Sequence, residues 1–150
     1  MSVVNEAWTT SRDYPYAPGR VFAAWADPAV KARWFDLSGA AESTYRGEFR
    51  VGGRESASSP PGPGPVAVYE AEYRDIVDAE RIVTTYEIAV DGRRVSVSVA
   101  TVTFEATATG THLTYVEQGA YLDGLDSAAS RRLGAATQLD RLGAVLAGTV

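Results

Sequence analysis

The sequence predicts an α+β fold in which a curved antiparallel sheet surrounds one long C-terminal helix, with two short helices after the first strand. Three patterns predict it: helical spacing of apolar residues near the C-terminus, about eighty residues of strand-forming sequence before it, and two proline-initiated helical segments near the start. The chain has 150 residues, 45% hydrophobic and 22% charged, which fits a single domain spanning residues 1–150.

The first strand and both short helices are predicted before residue 36. β-Branched and aromatic residues from Glu6 to Tyr14 predict a strand that Pro15 ends. Pro18 suits the first turn of a helix, and Asp27-Pro28 stops it. A second helix then begins at Pro28 and brings Trp34 and Phe35 to its end.

Strand-forming sequence predominates from residue 42 to residue 118. The predicted strands are Glu42–Tyr45, Glu48–Ser56, Val66–Ile76, Arg81–Ala89, Arg93–Ala106 and Thr111–Gln118. The Asp91-Gly92 pair is a strong signal for a tight hairpin turn. We therefore expect an antiparallel meander, with the proline-rich stretch Ala57–Pro65 as a hairpin loop rather than a linker between domains, because neither flanking half supplies two layers of its own.

One strand carries apolar residues on both parities. Alternate valines from Val95 to Val99 occupy odd positions, whereas Val102 and Phe104 occupy even ones. A regular strand cannot bury both sets on the same face. We therefore predict a β-bulge near Ala100 and Thr101.

The last segment predicts an amphipathic helix of about twenty residues. Asp126 is its expected N-cap. The apolar positions that we expect to face the sheet are Ala129, Leu133, Ala136, Leu139, Leu142 and Leu146. A glycine such as Gly134 destabilises a helix interior by roughly 1 kcal/mol relative to Ala. We therefore expect that a close approach of the sheet or of a ligand, which a larger side chain would prevent, compensates for this cost.

Composition excludes several classes of function. The formal net charge is −5 and no basic run is present, which disfavours nucleic acid as a partner. The chain has no cysteine and one histidine, His112, so we predict neither a metal site nor a cofactor, and His112 is expected at the surface or the sheet edge. No secretion signal or membrane span is readable, which predicts a cytoplasmic protein.

Short segments along nearly the whole chain match one family in order and spacing. They are Tyr16-Ala-Pro-Gly-Arg-Val-Phe-Ala-Ala-Trp25 with Asp27-Pro28, Phe49-Arg-Val-Gly-Gly-Arg-Glu55, Tyr73-Arg-Asp-Ile-Val77, Arg81-Ile-Val83, Gly92-Arg-Arg-Val-Ser-Val-Ser-Val-Ala-Thr-Val102, Gly110-Thr-His-Leu113, Glu117-Gln-Gly119, Leu122-Asp-Gly124 and Leu139-Asp-Arg-Leu142. In these segments the chain resembles the Hsp90-ATPase-activator-homologue-like branch of the START-like (SRPBCC) superfamily. The resemblance implies the helix-grip fold, also called START-like or Bet v 1-like, and a hydrophobic or amphipathic cavity between sheet and helix.

Members of that superfamily include lipid and secondary-metabolite binders, polyketide aromatase/cyclases and co-chaperone domains. Many relatives carry an aromatic residue after the helix glycine, whereas here Ala135 follows Gly134. The smaller side chain is expected to enlarge the cavity, which makes Ala135 a candidate ligand-binding residue.

A polar group is expected near the cavity mouth, where the last strand meets the long helix. Its members are Glu117, Gln118, Tyr121 and Asp123, opposite Arg131 and Arg132. A desolvated Glu117 would suit a general base, with Tyr121 or Arg132 polarising a carbonyl. The alternative is that Glu117 pairs with an arginine and has only a structural role at this corner.

Aromatic residues supply the remaining candidates for ligand binding. Tyr69, Tyr73, Tyr86 and Tyr115 are expected to face the helix, either as a pocket wall with hydroxyl groups or as core residues. Trp34 and Phe35 are candidates for a lid, and Arg54 or Glu55 for a contact to the polar end of a ligand.

Three functions follow from these expectations. The first is binding of a hydrophobic or aromatic small molecule, of the lipid or polyketide and secondary-metabolite class, between sheet and helix. The second is a cofactor-free cyclase, lyase or hydrolase that uses Glu117 and Tyr121. The third is a co-chaperone domain, which the absence of an obvious extra docking segment disfavours; a homodimer stays open.

Overall fold

A computed structural model describes residues 2–35, 44–59 and 62–148 of the chain. Seven strands form one sheet, with two short helices after the first strand and one long helix at the end. The elements are β1 (Val3–Tyr14), α1 (Pro18–Ala26), α2 (Pro28–Lys31), β2 (Thr44–Gly47), β3 (Arg54–Ser58), β4 (Ala67–Val77), β5 (Arg81–Val90), β6 (Arg93–Ala106), β7 (Thr111–Leu122) and α3 (Ala128–Leu146). The α+β helix-grip architecture is confirmed.

The strand order across the sheet is β1-β7-β6-β5-β4-β3-β2, and every neighbouring pair is antiparallel. The strands on either side of the proline-rich stretch, β3 and β4, pair antiparallel, as expected for a hairpin. Ala57 and Ser58 belong to β3, and Pro60 and Pro61 lie outside the described residues. The Asp91-Gly92 turn is also as expected, because both residues have the positive φ, 51° and 78°, that a tight hairpin turn requires.

A β-bulge interrupts the pairing of β5 with β6. Ala89 pairs with Arg94, but Ile88 pairs with Ser96, so Val95 is the additional residue. Val95 and Ser96 are both buried as a result.

The expected position of the bulge, near Ala100 and Thr101, is wrong. Ala100 pairs regularly with Thr84 on one side and with Glu117 on the other. The reason is that Val97 and Val99 lie exposed on the outer face of the sheet. Val102 and Phe104 have the opposite parity, so a regular strand buries them without a bulge between the two sets.

Several element boundaries differ from the prediction, and residues 42–43, where a strand was expected to begin, lie outside the described residues. β1 begins at Val3 rather than at Glu6, and β7 extends to Leu122 rather than to Gln118. Ser127 rather than Asp126 is the N-cap of α3, since its side chain accepts a hydrogen bond of 3.1 Å from the amide of Ser130. β3 begins at Arg54 and not at Glu48, because residues 48–53 form a turn in which the amide of Gly53 donates to the carbonyl of Arg50.

The predicted apolar face of α3 is correct only in its C-terminal half. Leu139, Leu142 and Leu146 are buried, whereas Leu133 is 71% exposed and Ala129 is exposed. In the N-terminal half the residues that face the interior are Ala128 and Ala135. They lie against Trp8 and Tyr121, whose large side chains fill the space that a leucine would take.

The core lies between the sheet and the three helices. Trp25 and Trp34 pack edge to face, with ring centroids 4.6 Å apart, and Phe104 packs against Trp25. The hydroxyl of Tyr14 donates a 2.7 Å hydrogen bond to the carbonyl of Leu139, which ties β1 to α3. Within the described ranges, no helix has the length and the hydropathy needed to cross a membrane.

Candidate functional site

Two carboxyl groups are buried on the inner face of the sheet. Glu55 on β3 is 2% exposed and Glu117 on β7 is 0% exposed. A buried acidic group is stable only when hydrogen bonds and a compensating charge replace its hydration. The side chains around the two glutamates therefore define the candidate site.

The Glu55 cluster consists of Glu55, Lys31, Tyr45, Tyr69 and Tyr73. The Lys31 ammonium and the Tyr45 hydroxyl both donate to Oε1 of Glu55. Tyr73 donates to the same oxygen at 2.9 Å, and Tyr69 donates to Oε2 at 2.7 Å. The carboxyl group is fully satisfied, because α2 brings the lysine to the end of the sheet where β2, β3 and β4 run side by side.

Charge pairing fixes the protonation of this cluster. Burial alone would raise the pKa of Glu55, but the charge of Lys31 and the hydrogen bonds from lysine and tyrosines leave that pKa below its ordinary value. Burial would likewise lower the pKa of Lys31, but Glu55 leaves it above its ordinary value. The ammonium also lies 4.7 Å from the ring centroid of Phe35 and 5.1 Å from that of Trp25, a cation–π environment.

The Glu117 cluster consists of Glu117, Tyr86, Tyr115, Tyr121 and Trp8. Tyr86 donates to Oε1 of Glu117, Tyr121 donates to Oε2 at 2.9 Å, and the Tyr115 hydroxyl lies 3.5 Å from Oε1. The indole of Trp8 donates to the Tyr121 hydroxyl at 2.8 Å. Burial raises the pKa of each of the three tyrosines, so they stay protonated and act as donors.

Arg131 connects the Glu117 cluster to the start of α3. Its Nη2 donates to the Tyr86 hydroxyl at 2.8 Å. Its Nε is buried without a hydrogen-bond partner, and lies 3.9 Å from the nearest carboxylate oxygen, Oδ2 of Asp126. One strong donor of this guanidinium is thus left without an acceptor.

The two clusters adjoin each other. The rings of Tyr69 and Tyr86 lie 5.0 Å apart, centroid to centroid, and each tyrosine binds a different glutamate. Together the clusters form a polar band through the interior, from α2 to α3.

A cleft of about 220 Å³ opens beside this band, between the inner face of the sheet and the start of α3. Its lining residues are Ala67, Ile88, Val90, Val95, Leu125, Asp126, Ser130 and Arg131. The cleft is apolar along the sheet and polar at the helix, and it is smaller than the roughly 300–1,000 Å³ of typical ligand pockets. A larger depression, about 560 Å³, lies around Val97 and Val99 on the outer face of the sheet, away from both glutamates.

Most of the residues predicted for the site come together. Tyr69 and Tyr73 belong to the Glu55 cluster. Tyr86, Tyr115 and Tyr121 surround Glu117.

Trp34 and Phe35 do not form a lid over a cavity. Trp34 is completely buried, and its indole donates to the carbonyl of Ala24 at 3.1 Å. Phe35 is buried between Tyr45 and Tyr69, with centroid distances of 5.7 and 5.0 Å. Both aromatic residues are therefore core.

Arg54 and Arg132 lie outside the interior. Arg54 has a side chain 73% exposed and pairs with Glu72 at 3.4 Å, because it occupies the strand parity opposite to Glu55. Arg132 is exposed, and its Nε donates to the carbonyl of Thr9 at 2.9 Å. One helical position separates it from Arg131, which turns the two side chains about 100° apart.

Ala135 and Gly134 occupy different surroundings. Ala135 is buried against Trp8 and Tyr121 and does not line the cleft. Gly134 is exposed, with nothing within 4 Å of the position that a Cβ would take, so the expected close approach of sheet or ligand is wrong.

Sequence reasoning missed Lys31, Tyr45 and the central position of Arg131. The only local signal for Lys31 is a lysine one turn before two aromatic residues, which does not identify a partner 24 residues away. His112 was expected at the surface or edge, and its side chain is 36% exposed with Nδ1 2.8 Å from Asp13. Among the residues described, no three His, Cys, Asp or Glu side chains are grouped so that they could hold a metal ion.

Comparison with known proteins identifies the family. Residues 15–147 match the family described as Activator of Hsp90 ATPase homolog 1-like protein. No curated protein matches the sequence significantly.

Solved structures of the same fold are numerous. The Mll3558 protein from Rhizobium loti is 41% identical with a TM-score of 0.87, and the match covers 96% of this chain and 99% of that one. An uncharacterised protein from Rhizobium leguminosarum is 34% identical with a TM-score of 0.91, covering 97% and 96%. CV1439 from Chromobacterium violaceum, 22% identical with a TM-score of 0.74 and coverage of 93% and 96%, shares the fold.

The family match spans most of the chain, and the sheet that wraps α3 has the architecture expected of that family. The chain therefore belongs to the Activator of Hsp90 ATPase homolog 1-like family, a branch of the START-like (SRPBCC) superfamily.

Proposed function

We propose that this protein binds a small hydrophobic or aromatic molecule in the cleft between the sheet and the start of α3. The helix-grip fold is compatible with ligand binding. The observation that carries the proposal is the composition of the cleft, which has one apolar side and one buried donor group without an acceptor.

The apolar side supplies the binding free energy. Ile88 and Val95 are buried residues of the sheet whose side chains line the cleft, and Leu125 is an exposed leucine at its rim. Covering apolar surface contributes about 25 cal/mol per Å², so a compact ring that covers roughly 100 Å² gains about 2.5 kcal/mol before polar contacts. At about 220 Å³, the cleft suits one small ring system better than a long acyl chain.

The geometry does not favour the enzymatic alternative. A general base must have a free oxygen within reach of substrate, whereas both oxygens of Glu117 accept hydrogen bonds from buried phenols. Tyr121 is itself fixed between Trp8 and Glu117. The co-chaperone alternative rests on the family name alone.

A cleft-filling substitution with a matched control tests the proposal. Methyl NMR signals of Ile88, Val90 and Val95 would be followed during titration with naphthalene derivatives, a flavonoid (naringenin) and octanoate. We expect saturable shifts with the ring compounds, and about a tenfold loss of affinity in Ala67→Trp, which fills the cleft. Val99→Trp, on the outer face, should change affinity less than about twofold. Shifts confined to the outer face, or equal affinity in both variants, would contradict binding in the cleft.

A further inference from the structure

The side chains at the polar end of the cleft restrict the chemistry of a ligand more than the volume of the cleft does. Arg131 lines the cleft with a side chain that is 23% exposed. Its Nη2 is engaged with Tyr86, but its Nε–H has no acceptor among the described residues. A buried donor left without a partner is destabilising by about 1–3 kcal/mol, and an acceptor brought by a ligand would remove that penalty.

The charges around Arg131 restrict which acceptor is suitable. Asp126 lies 3.9 Å from Nε, and Glu117 lies just behind the Tyr86 hydroxyl that Nη2 contacts. Two acidic side chains thus already face one guanidinium. A carboxylate ligand would add a third acidic group to the same small volume, whereas a neutral carbonyl oxygen would accept the hydrogen bond without adding charge.

We infer that the cleft selects compact aromatic or alicyclic molecules with a neutral carbonyl oxygen at one end, such as a ketone, an aldehyde or an amide, and that Arg131 recognises that oxygen. This inference rests on the proposed function and names the ligand class for the same cleft. The ring lies along Ile88, Val90 and Val95, and the carbonyl points toward the helix. Hydrocarbons of the same shape bind more weakly because they leave the Arg131 donor unpaired.

Three probes that share one ring test the inference: 2-acetylnaphthalene, 2-ethylnaphthalene and 2-naphthoate. We expect the ketone to bind at least about tenfold more tightly than either the hydrocarbon or the carboxylate. The Nε–H signal of Arg131 in ¹⁵N-correlated spectra should shift with the ketone and stay in place with the hydrocarbon. That signal is read in the unmodified protein, so the test does not depend on a variant that folds.

Two arginines that are neighbours on α3 supply matched variants. Arg131→Met should reduce the preference for the ketone over the hydrocarbon to within about twofold, whereas Arg132→Met should leave it unchanged.

Equal affinity of the unmodified protein for ketone and hydrocarbon, with shifts at Ile88 and Val90, would overturn the role of Arg131 and leave binding in the cleft intact. Tightest binding of the carboxylate would overturn the preference for a neutral group. Failure of all three probes to shift any cleft residue would overturn both this inference and binding of compact aromatics in the cleft.

Discussion

Glu117 receives hydrogen bonds from Tyr86 and Tyr121, with Tyr115 at a longer distance, and has no solvent exposure. These contacts fit a structural role of Glu117 better than a role as a catalytic base. The phenols come from β5 and β7, which are separated in the sheet by β6, so the carboxyl group links β7 across β6 to β5 and, through Tyr86 and Arg131, to the start of α3.

Replacing Glu117 with glutamine should therefore destabilise the fold. The amide nitrogen of Gln cannot accept a hydrogen bond, so at least one phenol loses its acceptor in the interior. We expect Glu117→Gln to lower the free energy of unfolding by about 1–3 kcal/mol, measured by urea denaturation. Glu105→Gln, an exposed position on β6, is the control and should change it by less than about 0.5 kcal/mol. An unfolding midpoint that is the same in both variants would show that the buried cluster does not support the fold.

Gly119 has no room for a side chain because the ring of Tyr121 lies against it. A Cβ at this position would lie 2.8 Å from Cζ of Tyr121, so only a glycine lets the ring fold back and reach Glu117. The sequence shows a glycine inside a strand, which commonly marks a bulge or a close approach. The identity of the approaching group becomes visible only when the rotamer of Tyr121 is known.

At the scale of elements, the buried side of α3 changes from small to large apolar residues along the helix. Its C-terminal half buries leucines, but its N-terminal half buries Ala128 and Ala135 and leaves Leu133 exposed. Periodicity alone could not reveal this change, because Ala, Gly and Leu at helical spacing look alike whether the opposing surface is another helix, a sheet or a pair of large aromatic residues.

Gly134 is the position where α3 is easiest to stabilise. It is exposed, and a methyl group there would meet no atom within 4 Å. We expect Gly134→Ala to raise the free energy of unfolding by about 1 kcal/mol, because alanine restricts the unfolded chain and favours the helix. Thermal or urea unfolding measures the gain. Gly119→Ala is the matched comparison and should destabilise instead, by about 1–3 kcal/mol, because its Cβ would displace Tyr121. A loss of stability in Gly134→Ala would show that the helix glycine has a partner after all.

For the whole molecule, local patterns were sufficient to predict the meander, the short helices and the long terminal helix. Strand parity also predicted that Tyr69 and Tyr73 share one face of the sheet, because alternate residues of a strand point the same way. The position of the bulge was not predictable in this way, since it depends on which valines remain exposed. The pairing of Lys31 with Glu55 was not predictable either, since it depends on where α2 lies over the far end of the sheet.

The Lys31–Glu55 pair joins α2 to the strand β3, so its protonation should affect the stability of the whole domain. Leaving either charge alone in the interior is strongly destabilising, by about 3–5 kcal/mol, whereas replacing both together is often neutral. We therefore expect Lys31→Met to lower the free energy of unfolding at pH 7 far more than the double variant Lys31→Met with Glu55→Gln does. Equal losses in the two variants would show that Glu55 does not depend on the lysine charge.

The same pair predicts how stability changes with pH. The pKa of Glu55 in the folded state is below its ordinary value of 4.5, so its contribution is present above about pH 5 and disappears as the pH falls through the folded-state pKa. The pKa of Lys31 is above its ordinary 10.5, so its contribution is present below that pH and disappears only in strong alkali, where the tyrosines also titrate. The pH dependence of stability is therefore easier to interpret in acid than in alkali.

Urea unfolding from pH 6 to pH 3 should show the wild type losing stability more steeply than the double variant, with an additional slope of up to about 1.4 kcal/mol per pH unit, which corresponds to one proton. Because all other carboxyl groups are present in both proteins, parallel acid curves would mean that Glu55 takes up its proton in the folded state as readily as in the unfolded chain, and that the ion pair does not hold α2 against the sheet.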